Sequence, residues 1–234
     1  MHNVSIGVEF LEQRAKDPPV WKPSSGHIIF DVKMDFTRKS KWVKDGHNIP
    51  DPSTSNYAGV ASRESVFISL TYDDLNYVDV ASADIQNAYL QAPSYEKYII
   101  VCGPQFGLEH VGKMALIHQA LYRGNMASHE FWIHLRSCMN FLGFKLSQGD
   151  PEVWMREAVK ADGTQYWEYF LLYVDDYLVI YENGEKDIRN KIGKYFSLKE
   201  ASIGPPKVYL VWNMSLVELE NGAKACDFRS SQYV

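Results

Sequence analysis

Tyr166-Trp167-Glu168-Tyr169-Phe170-Leu171-Leu172-Tyr173-Val174-Asp175-Asp176-Tyr177-Leu178-Val179-Ile180-Tyr181 consists of two aromatic and β-branched runs with a pair of aspartates between them. Such side chains favour pleated strands, so the stretch is expected to fold back as a hairpin, with strands over Tyr166 to Val174 and Tyr177 to Tyr181. Its turn is chemically odd. Asn-Gly or Asp-Gly suits a tight hairpin, whereas two adjacent carboxylates repel. A cation between them would remove the repulsion, and Mg²⁺ prefers carboxylate oxygens with water or phosphate oxygens completing its octahedron. Asp175 and Asp176 are therefore candidate metal ligands, with a solvated acidic turn as the alternative reading of the dipeptide alone.

Outward from the hairpin, alternation places Ile28, Phe30, Val32, Met34 and Phe36 on one face and Asp31, Lys33 and Asp35 on the other, the period of a half-buried strand. Asp45-Gly46 and Pro50 to Asn56 carry turn chemistry, after which Ser62 to Leu75 reads as a helix. Strands are expected at Val78 to Ile85 and Tyr98 to Cys102. A helix capped by Ser128 is expected to repeat Phe131, Leu135, Cys138, Met139 and Leu142 until Gly143. Ile188, Ile192 and Phe196 mark another amphipathic helix, and short strands follow at Val208 to Met214 and Leu216 to Leu219. Hairpins and an irregular order of elements favour an α+β fold, with an antiparallel sheet covered by helices on one face, over a regular βαβ alternation. No internal repeat or low-complexity tract is evident.

The 234 residues, 46% hydrophobic and 23% charged, describe an ordinary globular chain able to bury a core without metal or disulfide staples. Cys102, Cys138 and Cys226 lie far apart without Cys-x-x-Cys spacing, which fits a reducing compartment and offers no zinc knuckle. No apolar run suits a signal peptide or membrane span, so the sequons at Asn3 and Asn213 read as chance matches. A net charge of −5 excludes binding nucleic acid through bulk charge. Lys33, Arg38, Lys39, Lys41 and Lys44 nevertheless face only Asp35 between positions 33 and 44, a local basic arm.

Asp84 lies near the end of the Val78 to Ile85 strand, in phase with Val78 and Val80. A lone strand-end aspartate is ordinarily a cap or turn former. Asn87, Ala88 and Tyr89 after it suit a short helical turn whose amides could face phosphate. Joined to Asp175 and Asp176, Asp84 would complete a three-carboxylate set for in-line phosphoryl transfer with two metal ions.

Ala83-Asp84-Ile85-Gln86-Asn87-Ala88-Tyr89-Leu90, then Leu121-Tyr122, then Leu172-Tyr173-Val174-Asp175-Asp176 resembles, in order and spacing, the reverse transcriptase domain of copia-type LTR retrotransposons, from about Ile28 to the C-terminus. Lys39-Ser40-Lys41-Trp42-Val43 resembles the family's fingers strand, and Phe196-Ser197-Leu198-Lys199-Glu200 the segment after the catalytic hairpin. The resemblance implies a right-hand polymerase with a connector over 1–25, fingers over 26–77 and 94–125, a palm over 78–93 and 126–204, and a primer-grip hairpin with the start of a thumb over 205–234. It implies ligation of two Mg²⁺ ions, or Mn²⁺, by Asp84, Asp175, Asp176 and the Ile85 carbonyl. Nucleotide contacts would come from Lys39, Lys41, the Asn87 and Ala88 amides, Lys199, the segment around Met126, and Tyr89 as a steric gate against a 2′-hydroxyl.

The implied partners are a primer on an RNA or DNA template, a deoxynucleoside triphosphate, and the integrase and RNase H modules of a polyprotein. The implied location is cytoplasmic, including virus-like particles, without membrane attachment or secretion. Met126 stands where the family carries glutamine, Gln86 where it carries lysine, and Val211 where it carries glycine. Methionine fills space but accepts hydrogen bonds weakly. A catalytically decayed, nucleic-acid-binding remnant is the second expectation, and a three-carboxylate nuclease or integrase is the rival enzyme class. His129 and His134 are five apart, about 140° around a helix, which excludes the zinc-protease pattern.

Overall fold

The computed structural model describes residues 8–11, 21–32, 36–45, 59–122, 126–173, 175–209, 212–218 and 224–229. Lys33, Met34, Asp35, Gly46, the loop from Pro50 to Asn56, Val174, Leu210 and Val211 lie outside the described residues. In chain order the elements are β1 (Val8–Phe10), β2 (Lys22–Pro23), β3 (Gly26–Val32), β4 (Arg38–Lys44), α1 (Arg63–Asn76), β5 (Asp79–Asp84), β6 (Pro93–Val101), β7 (Met114–Gln119), α2 (Ala127–Phe141), β8 (Lys145–Leu146), β9 (Val153–Val159), β10 (Gln165–Tyr173), β11 (Asp176–Tyr181), α3 (Gly184–Asn190), β12 (Val208–Tyr209), β13 (Trp212–Glu218) and β14 (Lys224–Arg229). No described helix is long and apolar enough to cross a membrane.

Two compact units result, one from Met1–Ala58 with Asn87–Leu135, the other from Gly59–Gln86 with Arg136–Val234. In the first, β1, β7, β6 and β2 form a sheet in that order, and β3 pairs with β4 as a separate hairpin. Tyr98, Ile100, Phe106, Ala115, Ile117 and Leu121 make its core. Two charges are buried beside that core. The Lys44 ammonium sits 3.0 Å from the Tyr98 ring centroid, and burial lowers its pKa to about 8 against the pull of Glu96 and Glu130. Glu130 is 3% exposed and accepts the Tyr95 N–H at 2.8 Å, pinning α2 to β6.

The second unit is organised by the antiparallel sheet β5-β11-β10-β9-β8. Every residue from Tyr177 to Tyr181 is fully buried, because β11 lies between two neighbours with both faces covered. Val66 and Leu70 of α1 join Leu171 and Leu178 in one cluster. Ala81 pairs with Val179, one residue out of phase with Leu178, so it points to the opposite face. There α3 approaches so closely that a Cβ on Gly184 would lie 2.9 Å from the Ala81 methyl. Helices thus cover both faces of this sheet, which corrects the expectation of one covered face.

Glu168, 3% exposed on the α3 side, binds Arg156 and accepts Lys191 at 3.0 Å, so its buried charge is compensated twice. Ser62 caps α1, its Oγ accepting the Ser65 N–H at 3.2 Å while Asp150 accepts the Ser62 N–H at 2.9 Å. Replacing Ser62 by alanine is expected to cost about 1 kcal/mol of stability in urea unfolding, as N-cap losses usually do.

Several local expectations shift. Helix α2 begins at Ala127, so Ser128 lies in its first turn rather than at its cap. The helix marked by Ile188, Ile192 and Phe196 ends at Asn190 and continues as a 3₁₀ turn at Ile192–Lys194, where Gly193 weakens the α form. The expected strand from Val208 to Met214 is a hairpin, with Tyr209 opposite Trp212. Helix α1 belongs to the same compact unit as β5, β10 and β11.

Candidate carboxylate site

The site is set by strand register. Tyr177 pairs with Ala83, Leu178 with Ser82 and Val179 with Ala81, which puts Asp176 directly opposite Asp84 at the end of the β5–β11 ladder. Both faces of β11 are packed, so a one-residue slip would exchange Tyr177, Val179 and Tyr181 with Leu178 and Ile180 between two differently shaped, close-packed surfaces, and packing holds this juxtaposition. The Tyr173↔Asp176 pair closes the β10–β11 hairpin, leaving Asp175 in the turn. The Asp175 carbonyl accepts the Ile85 N–H at 2.9 Å, which ties the turn to the residue after Asp84.

Like charges directly opposite across strands are destabilising. The chain compensates with Lys199, whose ammonium bonds the Asp84 Oδ2. The Lys199 segment is itself fastened to β5: its N–H donates to the Asp84 carbonyl at 3.0 Å and the Gln86 N–H donates to Ser197 at 2.9 Å. Ser202 completes the support, accepting the Asp84 N–H at 2.9 Å and donating to the Lys199 carbonyl at 2.7 Å. Sequence reading missed Ser202, 118 residues from Asp84, and it named Lys199 among the nucleotide contacts without its bond to Asp84. Neither link leaves a local pattern.

Asp176 keeps solvent contact, yet the protein packed around its carboxyl, with Asp84 and Asp175 adding negative charge, pushes its pKa up to about 6 against the opposing pull of Lys199. Because the folded value lies above the unfolded one, the group's contribution to stability is fully present below pH of about 4 and is lost as pH rises through about 6. The metal-free chain should therefore melt higher at pH 5 than at pH 7.5, and Asp176→Asn should shrink that difference. Asp73, raised to about 7 by burial and then by Asp74 and Asp79, gives the same sign and would account for a residual slope. Equal pH dependence in wild type and Asp176→Asn would contradict the assignment.

The donor set suits a hard divalent cation. Asp84 and Asp176 offer carboxylate oxygens from paired strands, and Asp84 Oδ1 is buried without a hydrogen-bond partner among the described residues. No three acidic, histidine or cysteine side chains among the described residues gather closely enough to enclose an ion. Mg²⁺ does not require that, since one or two carboxylates plus water and phosphate oxygens commonly hold it.

The remaining expected site residues belong to the other compact unit. Tyr89 is half-buried, 5.0 Å from the Tyr122 ring and 6.0 Å from Phe131, and its hydroxyl accepts from Ser128 at 3.1 Å. Asn87 takes a left-handed φ of 51° and starts the 3₁₀ turn Ala88–Gln91. The Lys41 ammonium lies 3.9 Å from the Tyr122 ring centroid, while Lys39 pairs in register with Asp31. Met126 lines a small cavity with Lys44, Tyr98 and Glu130.

No family model matches the chain, and no curated protein matches it.

Proposed function

We propose that the Asp84–Asp176 pair, with Asp175 beside it, is the carboxylate centre of a metal-dependent nucleotidyltransferase. Within that class, the order of motifs around the pair favours an RNA-directed DNA polymerase, a reverse transcriptase of the copia type with a right-hand arrangement. The observation that carries the reading is the β5–β11 register, which sets Asp176 opposite Asp84 although the two lie far apart in the chain.

In the proposed reaction the primer 3′-hydroxyl gives up its proton to water and its oxygen bonds to the α-phosphorus of a deoxynucleoside triphosphate. The bond from that phosphorus to the bridging oxygen breaks, and pyrophosphate leaves. Asp84 and Asp176 would hold Mg²⁺, joined by Asp175 and the Ile85 carbonyl. The bound ion would supply charge neutralisation and a more acidic 3′-hydroxyl. The buried β11 strand keeps the Asp176 backbone fixed, and the Ser202 bond does the same for Asp84. Tyr89, five residues after Asp84, would exclude a 2′-hydroxyl by bulk, with its ring braced by Tyr122, Phe131 and Ser128.

The test is addition of deoxynucleotides to a DNA primer on an RNA template, with and without Mg²⁺. Extension that stops on chelation is expected. A folded chain that binds template–primer and extends nothing would overturn the polymerase reading. It would favour the inert nucleic-acid-binding remnant.

A further inference from the structure

Asp84 and Asp176 stand opposite each other at the end of one strand pair, with Asp175 in the adjoining turn, and among the described residues the cation bonded to Asp84 is the Lys199 ammonium. It satisfies only half of the Asp84 carboxylate. Oδ2 accepts from Lys199, while Oδ1 stays buried with no hydrogen-bond partner among the described residues. An unpaired buried carboxylate oxygen is costly, and a monovalent partner on one oxygen compensates the neighbouring charges only in part.

The attachment of Lys199 differs at its two ends. Its backbone is bound to the Asp84 carbonyl at 3.0 Å, and Ser202 fastens the same turn at 2.7 Å. Its side chain is 44% exposed, against 21% for Asp84, so the ammonium can turn into water without moving the backbone.

We infer that the Lys199 ammonium stands in for the divalent cation at Asp84 in the metal-free chain, and that divalent-ion binding proceeds by displacing it. The inference rests on the reading of Asp84 and Asp176 as metal ligands, and it assigns Lys199 a role in metal loading. The lysine preserves the carboxylate geometry while no ion is bound. It also weakens ion binding, because its contact with Asp84 must be given up. Half-exposed ion pairs are modest, so the handicap amounts to about two- to five-fold in affinity.

The experiment titrates Mn²⁺ into the full chain at pH 7.5 and low ionic strength, reading free Mn²⁺ by electron paramagnetic resonance. Lys199→Met and Lys199→Gln should bind about two- to five-fold more tightly than wild type. Lys194→Met, which removes an exposed charge that makes no ion pair with Asp84 among the described residues, should change affinity much less. Circular dichroism checks that each variant is folded, and the two Lys199 substitutions guard against loss of one. Asp176→Asn should weaken binding strongly.

Unchanged or weaker binding in both Lys199 variants, with Asp176→Asn still weakening it, overturns the displacement inference and leaves the metal-ligand reading standing. Equal gains in Lys194→Met and Lys199→Met also overturn it, since net charge alone would then be responsible. No specific Mn²⁺ binding in wild type or in either Lys199 variant overturns both.

Discussion

Asp84→Asn and Asp176→Asn should each reduce Mg²⁺-dependent primer extension by about 10³-fold or more, equivalent to roughly 4 kcal/mol of transition-state stabilisation. Asparagine matches aspartate in shape but lacks the negative charge a hard cation requires. The fold should survive both changes. At neutral pH Asp176→Asn should leave the metal-free chain at least as stable as wild type, since it removes a carboxyl whose ionisation is opposed by its surroundings. Activity and stability are then expected to move in opposite directions, as a group kept for function rather than folding requires. Single-turnover extension and thermal melting on the same preparations check both halves. A loss below about ten-fold, less than 1.4 kcal/mol, would place the chemistry elsewhere.

Phe170→Ala should destabilise the chain by about 3–5 kcal/mol, the range for an aromatic removed from a packed core. Phe170 is fully buried, and its ring stacks on Tyr177 with centroids 4.9 Å apart and planes 22° apart. Tyr177 is the residue after Asp176, so the pair anchors β10 to β11 just below the carboxylates. For a chain of this length the loss corresponds to roughly 6–20 °C in melting temperature. Chemical denaturation of wild type and variant measures it. A loss under about 1 kcal/mol would mean that the packing there relaxes freely.

The parts of the fold written in local chemistry were legible in the sequence. The β10–β11 hairpin follows from its aromatic and β-branched runs, α1 from Ser62 and the residues after it, and β5 from alternation ending at Asp84. Parts that depend on which element meets which were not. Nothing near Gly184 indicates that α3 needs a glycine against Ala81, and so the second covered sheet face was missed. The change of the 188–196 segment from α-helix, which ends at Asn190, to a 3₁₀ turn around Gly193 is a balance between a helical apolar pattern and the poor helix propensity of glycine, and the pattern alone pointed the wrong way.

The candidate site divides in the same manner. Asp175 and Asp176 stand out because two carboxylates are a poor hairpin turn, and Asp84 stands out by its place before Asn87, Ala88 and Tyr89. Their union depends on β5 pairing with β11, a contact between distant segments that no local periodicity encodes. Lys199 and Ser202 were harder still. A lysine and a serine in a short turn look like solvated surface, and only the bonds of that turn to the Asp84 backbone reveal its purpose.

Crystals grown with Mn²⁺, a deoxynucleoside triphosphate and template–primer, with data collected at the manganese absorption edge, test the central claim most directly. The account predicts anomalous density in contact with the carboxylates of Asp84 and Asp176, with the Lys199 ammonium turned away from Asp84. Manganese bound elsewhere, with Lys199 still on Asp84 and no ion touching Asp176, would contradict it.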